Sequence, residues 1–483
     1  MGIANQIIDP EQALKQIKLL EPNGIILSGG PTSVYEKDAP TINKKVFELG
    51  IPVLGICYGW QLTARLLGGK VVSGHKEYGP ANLKIEQTKP LFTSIKNHSR
   101  VWVSHGDSVV KLPKGFKILA QTESVHYASA ANLKSNIFGV QFHPEVEHTT
   151  HGIALLENFA NNICGLKSKP HTIKVQPLVE TIRQNVGPNK VICALSGGVD
   201  STVTAALLAK AIGKNLYPVY VESGLMRTGT KEDVKKICRK LGVKPIIVEA
   251  KPIFLKRLKG ARGAEQKRKI IGKLYIDIFA KEAKKIKDVE FLAQGTIYSD
   301  VIESKGTKKA DKIKSHHNVG GLPDKMHLKL IEPLRSFYKD EVRSIGLKLG
   351  LPAEFVHKQV FPGPGQAIRI VGEVTPQRLD MQQQADQIVV DEMKKAGLFH
   401  KVYMCFPIMT NTVSTAVKGD SRQLLEVAAL RVIESKDVMT TTWARLPYDL
   451  LQRIASRVVN EVPGISRMVY DITTKPPATM EWE

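Results

Sequence analysis

The run Ser196-Gly197-Gly198-Val199-Asp200-Ser201 joins an apolar stretch, Val191-Ile192-Cys193-Ala194-Leu195, to a segment of helical character opening near Thr202. A strand that turns into a helix within a few residues needs glycine dihedrals and close backbone approach at the junction. Free N–H groups and hydroxyls at such a helix start form an anion cradle. The Gly-Lys-Ser/Thr ending of a Walker loop is absent, so this is a phosphate loop of another kind. A bare Ser-Gly-Gly turn is commonly no more than a turn; six residues in this setting demand a particular fold. The surrounding chain should alternate strand and helix, with the ligand beyond the carboxyl ends of the strands.

The pattern along the 483 residues divides into three blocks. The first, 1–166, alternates strands predicted over 24–27, 53–56 and 137–141 with helices over 12–20 and 61–67. A polar join, Lys167-Ser168-Lys169-Pro170, breaks it off as a linker. The second, 171–358, places strands at 191–195 and 216–221 and helices over 202–212 and 231–241. Near-continuous apolar strands between amphipathic helices imply a parallel, doubly wound sheet. The third, 359–483, opens on the rigid turn Phe361-Pro362-Gly363-Pro364-Gly365. Strands predicted over 367–371 and 468–472, with helices over 378–394 and 449–459, make it α+β.

Composition narrows the class. The chain is 42% hydrophobic and 24% charged, as soluble globular proteins are. No apolar run approaches the ~18 residues of a membrane span, and the opening residues lack a secretory pattern. Gln6 stands where a myristoylation signal needs Ser or Thr. Cys57, Cys164, Cys193, Cys238 and Cys405 show neither metal spacing nor an even disulfide framework, which points to a reducing cytoplasm. The net charge of +23 fits either a polyanion partner or lysine-rich solvated faces. Lysines run from Lys15 to Lys475, which favours the second, so nucleic acid is not the expected partner. Local gatherings remain at Lys267-Arg268-Lys269 and over 305–314, near the candidate phosphate chemistry.

The first block carries a second chemistry. Gly55-Ile56-Cys57-Tyr58-Gly59 sits between a strand and a helix, with small residues that permit a sharp elbow and present Cys57 at the top of the sheet. A helix N-terminus beneath the sulfur favours the thiolate. Gln141-Phe142-His143-Pro144-Glu145 supplies a base and, at His-x-Glu spacing, a carboxylate to hold one tautomer. Ser28-Gly29-Gly30-Pro31 could aim backbone N–H groups at an oxyanion, with Gly30 and Tyr58 as the donors. Taken singly, Cys57 reads as a core cysteine and His143 as a loop histidine; together they read as a nucleophile and its base. His105 competes for the base role and is ranked below His143.

With its elbow, histidine and glutamate, the first block resembles the class I glutamine amidotransferases. The Ser196 loop resembles the pyrophosphate loop of the ATP pyrophosphatases, and the combination resembles the glutamine-hydrolysing GMP synthase family. Further strings carry the likeness: residues 293–304, residues 314–323, the Phe361 turn and the terminal Lys475-Pro476-Pro477-Ala478-Thr479-Met480-Glu481-Trp482-Glu483. The resemblance implies three parts: a class I amidotransferase domain, a doubly wound ATP pyrophosphatase domain and a C-terminal α+β dimerisation domain. It implies amination of xanthosine 5'-monophosphate with glutamine as nitrogen donor, ATP with Mg²⁺, and a homodimer. Ser196, Gly197, Gly198, Val199, Asp200 and Ser201 would hold ATP. Residues 305–321 would form a lid. Arg369 and Lys475 would take the substrate phosphate, and Glu481 would lie near the purine.

Departures from the family qualify this. The usual opening strand and glycine-serine turn are missing, so an exposed sheet edge and a weakened glutaminase are expected unless the start codon is misassigned. Glu222-Ser223 and Gln366 replace the usual residues, and 407–420 diverges. The competing reading is therefore an ammonia-dependent synthetase with an impaired glutaminase half.

Overall fold

The computed structural model describes residues 2–146, 148–167, 172–305, 328–418, 421–435, 440–475 and 477–483. The chain forms two compact units. The first comprises Met1–Thr172, Ser435–Thr442 and Thr473–Thr479; the second comprises Ile173–Glu434, Trp443–Ile472 and Met480–Glu483.

In the first unit α1 (Ala13–Leu20) buries Ala13 and Ile17, four apart on one helical face, and leads into β1 (Ile25–Leu27). There follow β2 (Val53–Ile56), α2 (Tyr58–Leu66), β3 (Lys70–Ile85), β4 (Ser99–Lys111), β5 (Lys117–Gln121), β6 (Ser129–Asn132), β7 (Ile137–Val140) and α3 (Gly152–Glu157). One sheet takes the order β1-β2-β7-β6-β5-β3-β4. β1, β2 and β7 are parallel, with Gly55 opposite Gly139 and Ile56 opposite Val140. Parallel pairing sends the residues after β2 and after β7 out at the same edge, which is what brings two distant strings together. Trp60 of α2 is fully buried on this sheet; a Cβ at Gly139 would lie 1.9 Å from its ring. The long ribbon β3/β4 had no sequence signal: Gly74, Gly79 and Pro80 interrupt the alternation, and the register slips between Ser73 and Glu77.

The second unit opens with α4 (Val175–Val186), β8 (Lys190–Ala194), α5 (Val199–Ile212), β9 (Leu216–Glu222), α6 (Thr230–Lys240) and β10 (Ile246–Glu249). It continues through α7 (Lys251–Leu258), α8 (Ala264–Ala283), β11 (Val289–Ala293), α9 (Tyr298–Lys305), β12 (Lys329–Ile331), α10 (Lys339–Lys348) and α11 (Ala353–Val356). The five strands are parallel in the order β10-β9-β8-β11-β12. The chain winds outward from β8 on one side and restarts beside it with β11, so the switch point lies at the carboxyl end of β8. The loop 196–201 occupies that end.

After these come α12 (Pro376–Lys395), the antiparallel ribbon β13 (Met404–Lys418) and β14 (Ser421–Glu434), α13 (Tyr448–Glu461) and the strand Ile465–Tyr470, parallel to β14. A single hydrophobic core runs from Val219 of the parallel sheet through Ile271 of α8 to Ile370, Leu379, Leu430 and Ile454. The boundary predicted at 358/359 therefore falls inside a continuous core.

Three local expectations need correction. Residues 367–371 are not a strand: Gly365–Arg369 is a 3-10 turn, and only an isolated bridge, Ile370 to Met409, remains. A short apolar run that is buried all round has no periodicity to separate turn from strand. α5 begins at Val199 rather than near Thr202, and α2 at Tyr58 rather than Gln61, because Gly198 and Cys57 complete both turns within one residue. The join 167–170 and the expected lid fall largely outside the described residues. Among the described residues no helix is long and apolar enough to cross a membrane.

Candidate active site

Cys57 sits between β2 and α2 at φ 49° and ψ −104°, a conformation that only a constrained non-glycine residue keeps. Its neighbours have no room for side chains. A Cβ on Gly55 would stand 2.7 Å from the Gly59 carbonyl oxygen, and one on Gly59 only 2.1 Å from that of Leu27. The Cys57 N–H donates to the Val140 carbonyl at 2.8 Å, tying the elbow to β7. Cys57 is buried, its Sγ 3.7 Å from the Ser104 carbonyl oxygen and 3.9 Å from Gln141 Nε2.

His143 follows β7, and its Nδ1 lies 2.7 Å from Glu145 Oε1. That bond leaves Nε2 for the thiol. Burial disfavours the imidazolium, yet hydrogen bonds and charge from Cys57 and Glu145 outweigh it and push the His143 pKa up to about 10. The geometry is that of a proton donor poised beside a sulfur nucleophile. Gly29 and Gly30 come alongside: a Cβ on Gly29 would lie 3.0 Å from His143 Cε1, and one on Gly30 3.7 Å from Tyr58 Cβ. Tyr58 spends its hydroxyl on the Pro40 carbonyl, so its backbone N–H at the start of α2 is the group left for an oxyanion.

The carboxylate that meets His105 comes from another strand and not from the neighbouring Asp107. Glu77 faces it across the β3/β4 ribbon, with Oε2 3.2 Å from Nε2. Burial raises the Glu77 pKa, but hydrogen bonds from His105, Ser124 and Thr122 hold it below the usual carboxylate range. His143 is nevertheless the histidine that engages Cys57. Sequence reading also passed over Asp107, which accepts from Ser33 Oγ at 2.5 Å while its carbonyl accepts from Gln61 Nε2 at 2.7 Å. Its position two residues after His105 was the available signal.

In the second unit Gly197 adopts φ +80°, and a Cβ there would meet Thr230 Cγ2 at 2.7 Å. Ser196 and Ser201 hydroxyls lie 3.1 Å apart, and the N–H groups at the start of α5, from Val199, have no side-chain cap. Asp200 is paired with Lys339 at 2.7 Å, and Lys358 bridges the Gly197 carbonyl and Asp233 at 3.2 and 2.8 Å. Neither lysine was picked out from the sequence. Beside the loop is a cavity of about 210 Å³, walled by Tyr220, Met226, Arg268, Tyr275 and Phe361. Glu222 turns back to accept from the Gly224 N–H at 3.1 Å, while Tyr275 donates to Ser223 at 3.1 Å. Lys267 is fully buried against the Ile370 carbonyl at 2.6 Å and against Glu483, so it does not face the phosphate loop's solvent.

Arg369 and Glu481 are brought together, with Arg369 Nε and Nη2 at 3.2 and 3.0 Å from the carboxylate. The guanidinium lies 3.9 Å over Phe406 and 4.6 Å over Phe361. Its Nη1 is buried with no partner among the described residues. Lys475 belongs to the other unit, where its backbone pairs with Thr441.

An elbow cysteine with a carboxylate-held histidine, and a hydroxyl-lined loop at the switch point of a parallel sheet, define an amidotransferase joined to a nucleotide-using synthetase. Profiles of known families agree: Glutamine amidotransferase class-I matches residues 1–163, NAD synthase 173–272 and GMP synthase C terminal domain 391–482. The chain is 51% identical to the GMP synthase [glutamine-hydrolyzing] of a Nitratiruptor species, covering 100% of this chain and 95% of that protein. It is 49% identical to the same enzyme of Aquifex aeolicus, again over 100% and 95%. The chain belongs to the glutamine-hydrolysing GMP synthase family.

Proposed function

We propose that the chain forms GMP by ATP-dependent amination of xanthosine 5'-monophosphate, using ammonia released from glutamine. The observation that carries this is the strained Cys57 elbow beside a His143 held by Glu145, on one chain with the Ser196 loop. Cys57 attacks the glutamine amide carbon, Gly30 and Tyr58 N–H groups take the oxyanion, and His143 protonates the departing ammonia. Water then cleaves the glutamyl thioester to glutamate. In the second unit Ser196, Gly197, Gly198, Val199, Asp200 and Ser201 cradle the ATP phosphates. The purine 2-oxygen attacks the α-phosphorus, pyrophosphate leaves, and ammonia displaces AMP from the adenylylated nucleotide.

Magnesium fits as an ion that arrives with ATP. Mg²⁺ commonly takes one or two carboxylates plus phosphates, and Asp200 offers such a carboxylate, while no resident metal cluster occurs among the described residues. When bound, it would offset triphosphate charge. Arg369, through its unpartnered Nη1, and Lys475 would hold the substrate phosphate, with Glu481 toward the purine. The work divides as 1–166 for glutamine, 171–358 for ATP and 359–483 for the substrate nucleotide and a homodimer contact, in a cytoplasmic enzyme that needs neither nucleic acid nor membrane. The intact elbow weighs against an impaired glutaminase.

The test is GMP formation with glutamine or ammonium. Cys57→Ala should lose glutamine-driven synthesis about a thousandfold or more and keep the ammonium-driven reaction. Retained glutamine use would remove Cys57 from its role. No GMP from either nitrogen source in the wild type would refute the substrate.

A further inference from the structure

Arg227 stands outside the phosphate loop and the Arg369 site, yet it is wired to the walls of both. Its Nε and Nη2 reach Asp386 of α12 at 2.7 and 2.8 Å, a two-pronged pair in which the Asp386 side chain is only 2% exposed. Nη2 also donates to the Cys405 carbonyl at 3.1 Å. The guanidinium lies 5.2 Å over the ring of Phe361. Phe361 in turn walls the 210 Å³ cavity and carries Arg369 at 4.6 Å. One ring therefore separates the cavity beside the ATP loop from the guanidinium whose Nη1 has no partner among the described residues.

The backbone around Arg227 is fixed as tightly. Gln383 Nε2 donates to the Gly224 carbonyl at 2.9 Å, and the Gln366 N–H donates to the Leu225 carbonyl at 2.7 Å. Gly365, at φ +66°, makes the last contact possible: a Cβ there would stand 2.2 Å from the Leu225 oxygen. The segment after β9, which contributes Met226 to the cavity, thus interlocks with the Pro-Gly turn that contributes Phe361.

We infer that Arg227, held by Asp386, is a positioning residue for adenylyl transfer, bracing Phe361 so that ATP and the acceptor nucleotide meet in line across this wall. The inference rests on the proposed reaction, in which two nucleotides must align before bonds change. Misplacement by about 1 Å can cost on the order of a hundredfold in rate without much loss of binding. Lysine at 227 would keep the charge but lose the planar fork and the ring contact.

The experiment uses the full chain with ammonium, so the glutaminase half is not read. Arg227→Lys and Phe361→Leu should each lower kcat about tenfold or more while both KM values move less than about threefold. Lys235→Gln, at an exposed surface pair, should leave both unchanged. Hydrogen exchange should rise in Arg227→Lys over 223–230 and 361–366. Normal kcat in either variant, KM rising in step with a fall in kcat/KM at constant kcat, or unchanged exchange at 361–366 would overturn the inference. If the wild type makes no GMP, the substrate reading fails, and exchange alone decides whether Arg227 braces the wall.

Discussion

At the scale of the residue, His143 shows how a local contact sets a working range of pH. Its imidazolium is favoured in the fold, so the stability it lends is fully present below its ordinary value of 6.5 and is lost as pH climbs through about 10. In the proposed mechanism the same proton passes to the departing ammonia. Glutamine hydrolysis should therefore fall on an alkaline limb near that value. Glu145→Gln removes one of the groups holding the proton, and the limb should move down by about one unit or more in a pH–rate profile. A limb that stays in place would show that Glu145 does not set it. Cys57, His143 and Glu145 were legible because each lies in a short string with its own geometry. Glu77 was not: it meets His105 only across the β3/β4 ribbon, 28 residues away in sequence.

At the scale of the element, the two chemical loops follow one design, a buried strand that turns into a helix through residues with unusual dihedrals. The elbow depends on helix α2 approaching β1 at Gly59. Gly59→Ala should destabilise the first unit by about 3 kcal/mol through overpacking against backbone. Denaturant unfolding would measure this, alongside loss of glutaminase with ammonium-driven synthesis retained. Near-normal stability would mean that the elbow can relax. Near-continuous apolar runs set between helices were readable, as in the parallel strands β8 and β9. The 3-10 turn Gly365–Arg369 was not, because it is tied at Gly365 and Gln366 to Leu225, which no local window contains.

At the scale of the molecule, the partition of the core departs from the partition of motifs. Val219 and Ile271 share one hydrophobic cluster with Leu379, Leu430 and Ile454. A fragment ending at residue 358 would leave that surface uncovered. Fragment 173–358 is expected to bind a hydrophobic dye and unfold without cooperativity, whereas 173–483 should melt in a single transition. Cooperative unfolding of the shorter piece would show that the shared core is dispensable.

The sequence by itself determined the alternation of strand and helix and the glycine turns, and it brought Cys57 and His143 forward as candidates, because these depend on neighbours within a few residues. It also determined the family, through strings spread along nearly the whole chain. Only the tertiary structure decided that Arg369 meets Glu481, that Asp200 pairs with Lys339, and that Phe361 stands between a cavity and a buried guanidinium. Such contacts join elements far apart in the chain, and only the folded backbone brings the groups within a few ångströms of each other.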